Sequence, residues 1–282
     1  MITKEAILID QINIPHKQSL EPFIYTDLLA EYAGNKHVSF FHFWNMTNEV
    51  ILGMQDTRVP FLEDAVNEII KNDYHVVVRN SGGLAVVADE EILNVSIIIP
   101  QPQEKYSFSI DDGYLLMKEL IEASLKEYNV SIDAFEVSDS YCPGDFDLSI
   151  NGKKFAGISQ RRIKKGIGIM IYLSVSGNQN HRGEMVRDFY QAGLKEDFGK
   201  NNFPPVNPNS MANLSDLLNV DLTVASLKEK MIHVINERYH LSSEAKETFL
   251  TYQTTTDFKE NFEKQQQRMI QRNDIINWSE TV

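Results

Sequence analysis

Strand-like runs of β-branched and aromatic residues recur between residues 38 and 175, and beyond Ser210 the apolar residues recur at helical spacing. A chain ordered in this way, strands first and helices last, is held to an α+β body with a helical C-terminal section. Residues 38–44 and 50–54 read as two short strands joined by a turn through Asn45-Met46-Thr47-Asn48. Val76-Val77-Val78, residues 85–87 and residues 94–99 continue the pattern, the last stopped by Pro100. Residues 110–128 interrupt it with a helix, whose apolar band includes Tyr114, Leu115, Met117 and Ile121, and whose Asp111-Asp112 suits the positive N-terminal end. Strand character returns at residues 135–137, 146–150 and 167–175, and Asn151-Gly152 is a hairpin turn signal. After Gly177 the texture changes. Residues 201–209 form a polar, proline-rich connector. Ser210 is then expected to cap a short helix to Leu218, a second helix follows from Val224 to about Tyr239, and residues 243–276 are mostly helical.

At 282 residues the chain can be one large domain or a domain with a helical appendage, and the expected division is a main domain over residues 1–205 with a helical section over 206–282 packed on it. A hydrophobic content of 42% supports a real core and excludes wholesale disorder. The formal charge of −13 argues against sequence-independent nucleic-acid binding, which depends on neutralising phosphates with Lys and Arg. No run approaches the ~20 apolar residues of a membrane span, and Ala6-Ile7-Leu8-Ile9 is too short for the core of a signal peptide. With one cysteine, Cys142, neither an intrachain disulfide nor a cysteine-based zinc site can form, and no metal is expected. These features together point to a soluble cytoplasmic protein.

Three segments can carry chemistry. In Arg79-Asn80-Ser81-Gly82-Gly83-Leu84-Ala85-Val86 the paired glycines allow positive φ and close approach of backbone to a ligand, although an ordinary hairpin with a Gly-Gly turn is the plainer reading. The pattern matches neither G-x-G-x-x-G nor a P-loop, so no nucleotide is implied. In Ser140-Tyr141-Cys142-Pro143-Gly144-Asp145-Phe146-Asp147 a lone cysteine is ordinarily a small buried hydrophobe. Pro143-Gly144 demands a turn, however, and a turn is where reactive groups are presented. A nucleophilic thiol needs a nearby cation or base, which Asp145 and Asp147 cannot supply. The third segment, Lys153-Lys154-Phe155-Ala156-Gly157 running on through Arg161, Arg162, Lys164 and Lys165, is the densest positive cluster and can be a solvated hairpin. Strand alternation places Lys154 and Ala156 on one face opposite Phe155, and the Asn-Gly turn pairs this strand with residues 147–150, close to the Cys142 loop.

Taken together, these segments resemble the lipoate/octanoate protein ligase and transferase family. The Arg79 segment is similar to the family's R-R-x-S-G-G-G-A-V-type acyl-binding loop. Lys154-Phe155-Ala156-Gly157 followed by Ser159-Gln160-Arg161 is similar to its G-R-K-I-A-G-x-A-Q-R-type lysine motif. The match runs from about residue 20 to 195. The Cys142 stretch, with Gly-Gly-Leu-Ala-Val-Val-Ala-Asp at residues 82–89, looks most like the branch that moves octanoyl groups between amides, taking them from glycine cleavage H protein. ATP-using ligases of the family usually carry three consecutive glycines and a His before the Asp. Leu84, Ala88 and Asn80 depart from that pattern, which speaks against an acyl-adenylate. The G-R-G-R-x-G-type loop of biotin ligases is absent.

The resemblance implies a biotin/lipoate protein ligase-like, class II synthetase-like mixed β-sheet flanked by helices, with the catalytic domain in residues 1–205. It further implies that Cys142 takes an octanoyl or lipoyl group from the H-protein lysine as a thioester, and passes it to a lipoyl-domain lysine of 2-oxo acid dehydrogenase subunits. No cofactor is then needed. Lys154 is expected to polarise the carbonyl and shuttle protons, with Arg79, Ser81, Gly82, Gly83, Ala85 and Gly157 lining the acyl site. The eight-carbon chain would lie in a slot walled by Ala85 and by side chains from residues 50–54 and 93–97. Partners of this family are typically acidic, so attraction has to come locally from Lys153, Arg161, Arg162, Lys164 and Lys165. Two alternatives stay open within the family: transfer from octanoyl-acyl-carrier protein to H protein, and ATP-dependent lipoate ligation. Outside enzymes, a module that only docks lipoyl domains is the remaining reading.

Overall fold

The computed structural model describes residues 2–102 and 108–278; Met1, where the N-terminal reading begins, lies outside them. In chain order the elements are β1 (Glu5–Ile14), α1 (Glu21–Lys36), β2 (Ser39–Met46), β3 (Glu49–Leu52), α2 (Leu62–Ile70), β4 (His75–Val78), β5 (Val86–Ala88), β6 (Ile92–Pro100) and α3 (Ile110–Ser124). They continue as β7 (Asp133–Ala134), β8 (Leu148–Ile150), β9 (Lys153–Ile163), β10 (Gly166–Ser174), α4 (Gln179–Leu194), α5 (Leu214–Leu218), α6 (Val224–Arg238), β11 (His240–Leu241), α7 (Ser243–Gln253) and α8 (Thr256–Asn273). Among the described residues no helix is long and apolar enough to cross a membrane.

A large sheet runs β11-β1-β2-β6-β10-β9-β8-β7, and a small one β4-β3-β5. Both are mixed: β1 is parallel to β2 and β11, and β3 to β4, while the other pairs are antiparallel. Side-chain alternation decides what each face of the large sheet buries. Phe41, Phe43, Leu93, Val95, Ile97, Ile169, Ile171 and Leu173 point to one side and join Met117, Leu120 and Ile121 of α3 and Leu227, Met231 and Ile235 of α6 in one core. The opposite side, with Trp44, Ile98 and Tyr172, meets α1, α4 and the small sheet. Beyond residue 210 the helices supply core residues to several clusters: Leu214 beside α3, Phe249 against Phe40, and Phe258 and Met269 against α1 and the small sheet.

Several sequence expectations need correction. β2 and β3, read as strands joined by a turn through residues 45–48, belong to different sheets; β2 runs on to Met46, and Thr47-Asn48, with Asn48 at φ 48°, carries the chain between layers. β4 and β5 do not pair with each other. They flank β3 on either side, which leaves the Arg79–Ala85 segment as a loop spanning a strand. The strand expected at residues 135–137 is the short β7 two residues earlier, and β8 begins at Leu148. Ser210 ends a 3-10 turn, and Asn213 occupies the cap position of α5. α3 begins as expected, with a capping box between Ser109 and Asp112, but Leu115 on its surface is 47% exposed.

Candidate active site

The Arg79 loop is held from three directions. Its own guanidinium ties it internally: Nε donates to the Gly82 carbonyl at 2.9 Å and Nη2 to the Leu84 carbonyl at 2.7 Å. From the large sheet, Arg161 Nη1 donates to the Asn80 carbonyl at 2.6 Å while Nε and Nη2 grip both oxygens of Asp27 at 2.9 and 3.1 Å. From behind, the Ala85 N–H donates to the Tyr190 hydroxyl, Tyr190 donates to Asp56 Oδ1 at 2.7 Å, and Asp56 Oδ2 accepts from the Gly53 N–H at 2.7 Å. Gly83 sits at φ 89°, where a Cβ would fall 2.4 Å from Arg79 Nη2 and 3.1 Å from Cys142 Sγ, so only glycine fits.

Asp56 is fully buried, and that burial raises its carboxyl from 3.8 to about 6, against the pull of Tyr190, Gly53 and Arg79. A carboxyl raised in the folded state favours folding below its unfolded value and loses that contribution as pH climbs through the folded one. The difference amounts to roughly 3 kcal/mol. Denaturant unfolding at about pH 4 and about pH 7 should therefore show a steeper loss of stability with rising pH in the wild type than in Asp56→Asn, which does not titrate. Equal slopes would mean that Asp56 stays ionised.

Cys142 lies in the loop before β8, half-buried, at φ 47°, a left-handed conformation that costs a side-chain-bearing residue ~1–2 kcal/mol. Its sulfur accepts from the Leu84 N–H at 3.1 Å and lies 3.8 Å from Arg79 Nη2. Lys154 reaches this loop from β9, close to it as expected, but meets its backbone rather than its sulfur. Lys154 Nζ donates to the carbonyls of Cys142 at 2.7 Å and Tyr141 at 3.0 Å and to Ser140 Oγ at 3.2 Å, and pairs with Asp147 Oδ1 at 2.9 Å. The ammonium thus grips the backbone of the cysteine loop, and the cation hydrogen-bonded to the sulfur is Arg79. Asp147 does not face the thiol: its other oxygen accepts from the N–H groups of Val137 and Gly144. Burial raises the Asp147 carboxyl, opposed chiefly by Lys154.

Strand alternation also fails at Lys154, for a local reason. Leu148 pairs with Ala156 and Ser149 with Lys154, so Phe155 is an extra residue in a bulge. Phe155 and Ala156 consequently both join the main core, while Lys154 turns to the cleft. Gly157 follows it there, and a Cβ at this position would be 3.6 Å from Lys154 Cε.

These groups line one cavity of ≈ 310 Å³ between the large sheet, α1 and the small sheet. Arg79, Ser81, Gly82, Gly83, Cys142, Lys154 and Gly157 all border it. Ala85 does not. It is fully buried in the core against Tyr190, and its neighbour Val86 faces the cavity instead. Of residues 50–54 and 93–97 only Ile51 and Asn94 reach it, because Leu93, Val95 and Ile97 point to the other face of the sheet. Phe23, Trp44, Tyr114 and Tyr172, which the sequence reading missed, complete the apolar wall. The basic cluster is largely engaged: Arg161 with Asp27, Arg162 with the Phe108 carbonyl and Lys164 with Glu31. Lys153 and Lys165 are exposed. No cluster of three or more His, Cys, Asp or Glu suited to a metal occurs among the described residues.

Residues 20–236 match the lipoyl protein ligase A/B catalytic domain. A relative from Bacillus velezensis, named octanoyl-[GcvH]:protein N-octanoyltransferase, is 40% identical over 273 residues, covering 95% of this chain and 92% of its own. One from Listeria monocytogenes, named lipoyl-[GcvH]:protein N-lipoyltransferase, is 40% identical over 263 residues, covering 93% and 91%. Among solved structures, a lipoate-protein ligase A bound with ATP superposes with a TM-score of 0.61 at 18% identity over 93% of this chain and 99% of that one, a likeness of fold. With its mixed sheet flanked by helices and its kinship to N-acyl transferases, the chain is a transferase that belongs to the lipoyl protein ligase A/B catalytic-domain family.

Proposed function

We propose that this protein moves an octanoyl or lipoyl group from the lysine of glycine cleavage H protein to the lysine of a lipoyl domain of 2-oxo acid dehydrogenase subunits, through a thioester on Cys142 and without ATP. The observation that carries the reading is the thiol itself: half-buried, held in a strained loop, supplied with an N–H and a guanidinium, and opening onto an apolar slot. The names of the two relatives support the donor.

In the first half-reaction the Cys142 sulfur attacks the amide carbonyl carbon. The C–N bond breaks, the S–H proton ends on the departing lysine amine, and a thioester remains. In the second, the acceptor amine attacks that thioester, its proton returns to the sulfur, and a new amide forms. One amide replaces another, so no nucleotide is needed to drive the exchange. The Leu84 N–H and the Arg79 guanidinium are aimed at the sulfur, which carries negative charge before it attacks and takes it up again as the thioester collapses. Backbone N–H groups near Gly82-Gly83 and Gly157 serve the oxyanion. Lys154 has three protons and four oxygen neighbours, so its part is to fix the Cys142 carbonyl and balance Asp147.

Intact-mass measurement after mixing the protein with octanoylated H protein and no nucleotide is expected to show one octanoyl group on the chain, removable by hydroxylamine. Acylation that appears only when ATP is added would replace this reading with the ligase one.

A further inference from the structure

The strand that floors the slot carries an anomaly. β6 is buried along its whole length, yet Asn94 and Ser96 interrupt its apolar run on the side opposite the main core. Register aligns Asn94 with Trp44 on β2 and with Tyr172 on β10, which in turn pairs with Gly157 on β9. Trp44 and Asn94 are 6% and 5% exposed and both border the cavity. Among the described residues neither Trp44 Nε1 nor Asn94 Nδ2 has a hydrogen-bond partner. Buried donors are nearly always paired, and a pair left unmatched on a slot wall marks something the slot is built to receive.

The distances fit the far end of the acyl chain. Strands lie ~4.8 Å apart, so Trp44 stands three spacings, ~14 Å, from Gly157 beside Lys154. An extended eight-carbon chain built from ~1.5 Å bonds measures ~10 Å, and its thioester link to Cys142 takes up much of the remainder. A saturated tail ending there in a methyl group leaves both N–H groups dry and unmatched. A dithiolane ring brings two sulfurs, which accept weak hydrogen bonds and are polarisable against an aromatic ring. Trp44 presents such a ring, packed edge-on to Phe23 at 5.9 Å.

We propose that Trp44 and Asn94 form a polar end-stop that selects the dithiolane of a lipoyl chain over the saturated tail of an octanoyl chain. The inference rests on the reading above that the slot holds the acyl group carried by Cys142. It is tested by calorimetric titration of the whole protein with free lipoate and with free octanoate, which needs no chemistry at the thiol. Lipoate is expected to bind roughly tenfold more tightly. Asn94→Leu should weaken lipoate, strengthen octanoate and bring the ratio to about one or below. Trp44→Phe, which removes only the N–H and part of the ring, should shift it the same way, with melting curves establishing that the variants are folded. Equal affinities in the wild type, no binding of either acid, or a preference unchanged in a folded variant would overturn the proposal. Failure of Cys142 to become acylated, with lipoate preference intact, would overturn the proposed function and leave the end-stop standing.

Discussion

Cys142→Ala and Cys142→Ser are each expected to lower acyl transfer from an acylated H protein by ~10³-fold or more, since removal of a nucleophile that forms a covalent intermediate leaves only binding and oxyanion contributions. The fold should be retained, because the thiol is half-buried and Arg79 holds the Gly82 and Leu84 carbonyls of the facing loop without it. Cys142→Gly separates chemistry from stability more sharply. Its φ of 47° is free for glycine and costly for cysteine, so this variant should be inactive yet melt no lower than the wild type. Quantified transfer by mass spectrometry, run beside melting curves, reads both effects. Full activity in Cys142→Ala would remove the thioester from the mechanism.

Lys154→Met should be strongly destabilising. Lys154 and Asp147 form a buried ion pair, their side chains 4% and 2% exposed, and removing one partner leaves the other charge in the interior at a cost of ~3–5 kcal/mol. That is a large part of the ~5–15 kcal/mol that holds a domain folded. Asp147 is already pushed up by burial with Lys154 opposing the rise, so losing the lysine lets it rise further. The variant should then regain stability as pH falls through the raised Asp147 value and lose it as pH increases, a stronger dependence than in the wild type. Adding Asp147→Asn should recover most of the stability by removing the unpaired charge, but not transfer, because the carbonyls of Tyr141 and Cys142 remain without their ammonium. Denaturant unfolding at two pH values checks the first part. Stability unchanged in Lys154→Met would show that the pair contributes nothing.

The same structural logic explains which elements could be read from the chain alone. β6, β10, α3 and α6 are legible because each presents a continuous or periodic apolar run, whereas β9, bulged at Phe155, is legible from the Asn151-Gly152 turn before it. β1 is half-exposed and broken by a bulge near Gln11 and Ile14, so its alternation is blurred. α1 is buried nearly all round and shows no polar stripe to mark it as a helix. α4 buries Gln179 and Arg182 in a polar network with Asp89, Ser174 and Asn213, so its inward face reads as a surface. The family match, which extends to residue 236, takes in the connector and α6 that the motif comparison left out.

At the site, what the sequence determined was local. Pro143-Gly144 puts Cys142 in a turn, Asn151-Gly152 folds β9 back on β8, and Gly83 permits a backbone that no other residue could follow past Arg79 and the thiol. Only the tertiary structure decided which cation meets the sulfur, since that depends on two loops far apart in the chain arriving at the same point, and on a bulge at Phe155 that aims Lys154 at carbonyls. It also placed Asp56 and Tyr190 behind the loop and aligned Trp44 with Asn94 on the floor of the slot. Hydrophobic period and turn chemistry act over a few residues and can be read in order. Charge pairing and cavity shape act through space, between residues whose separation along the chain carries no trace of the contact.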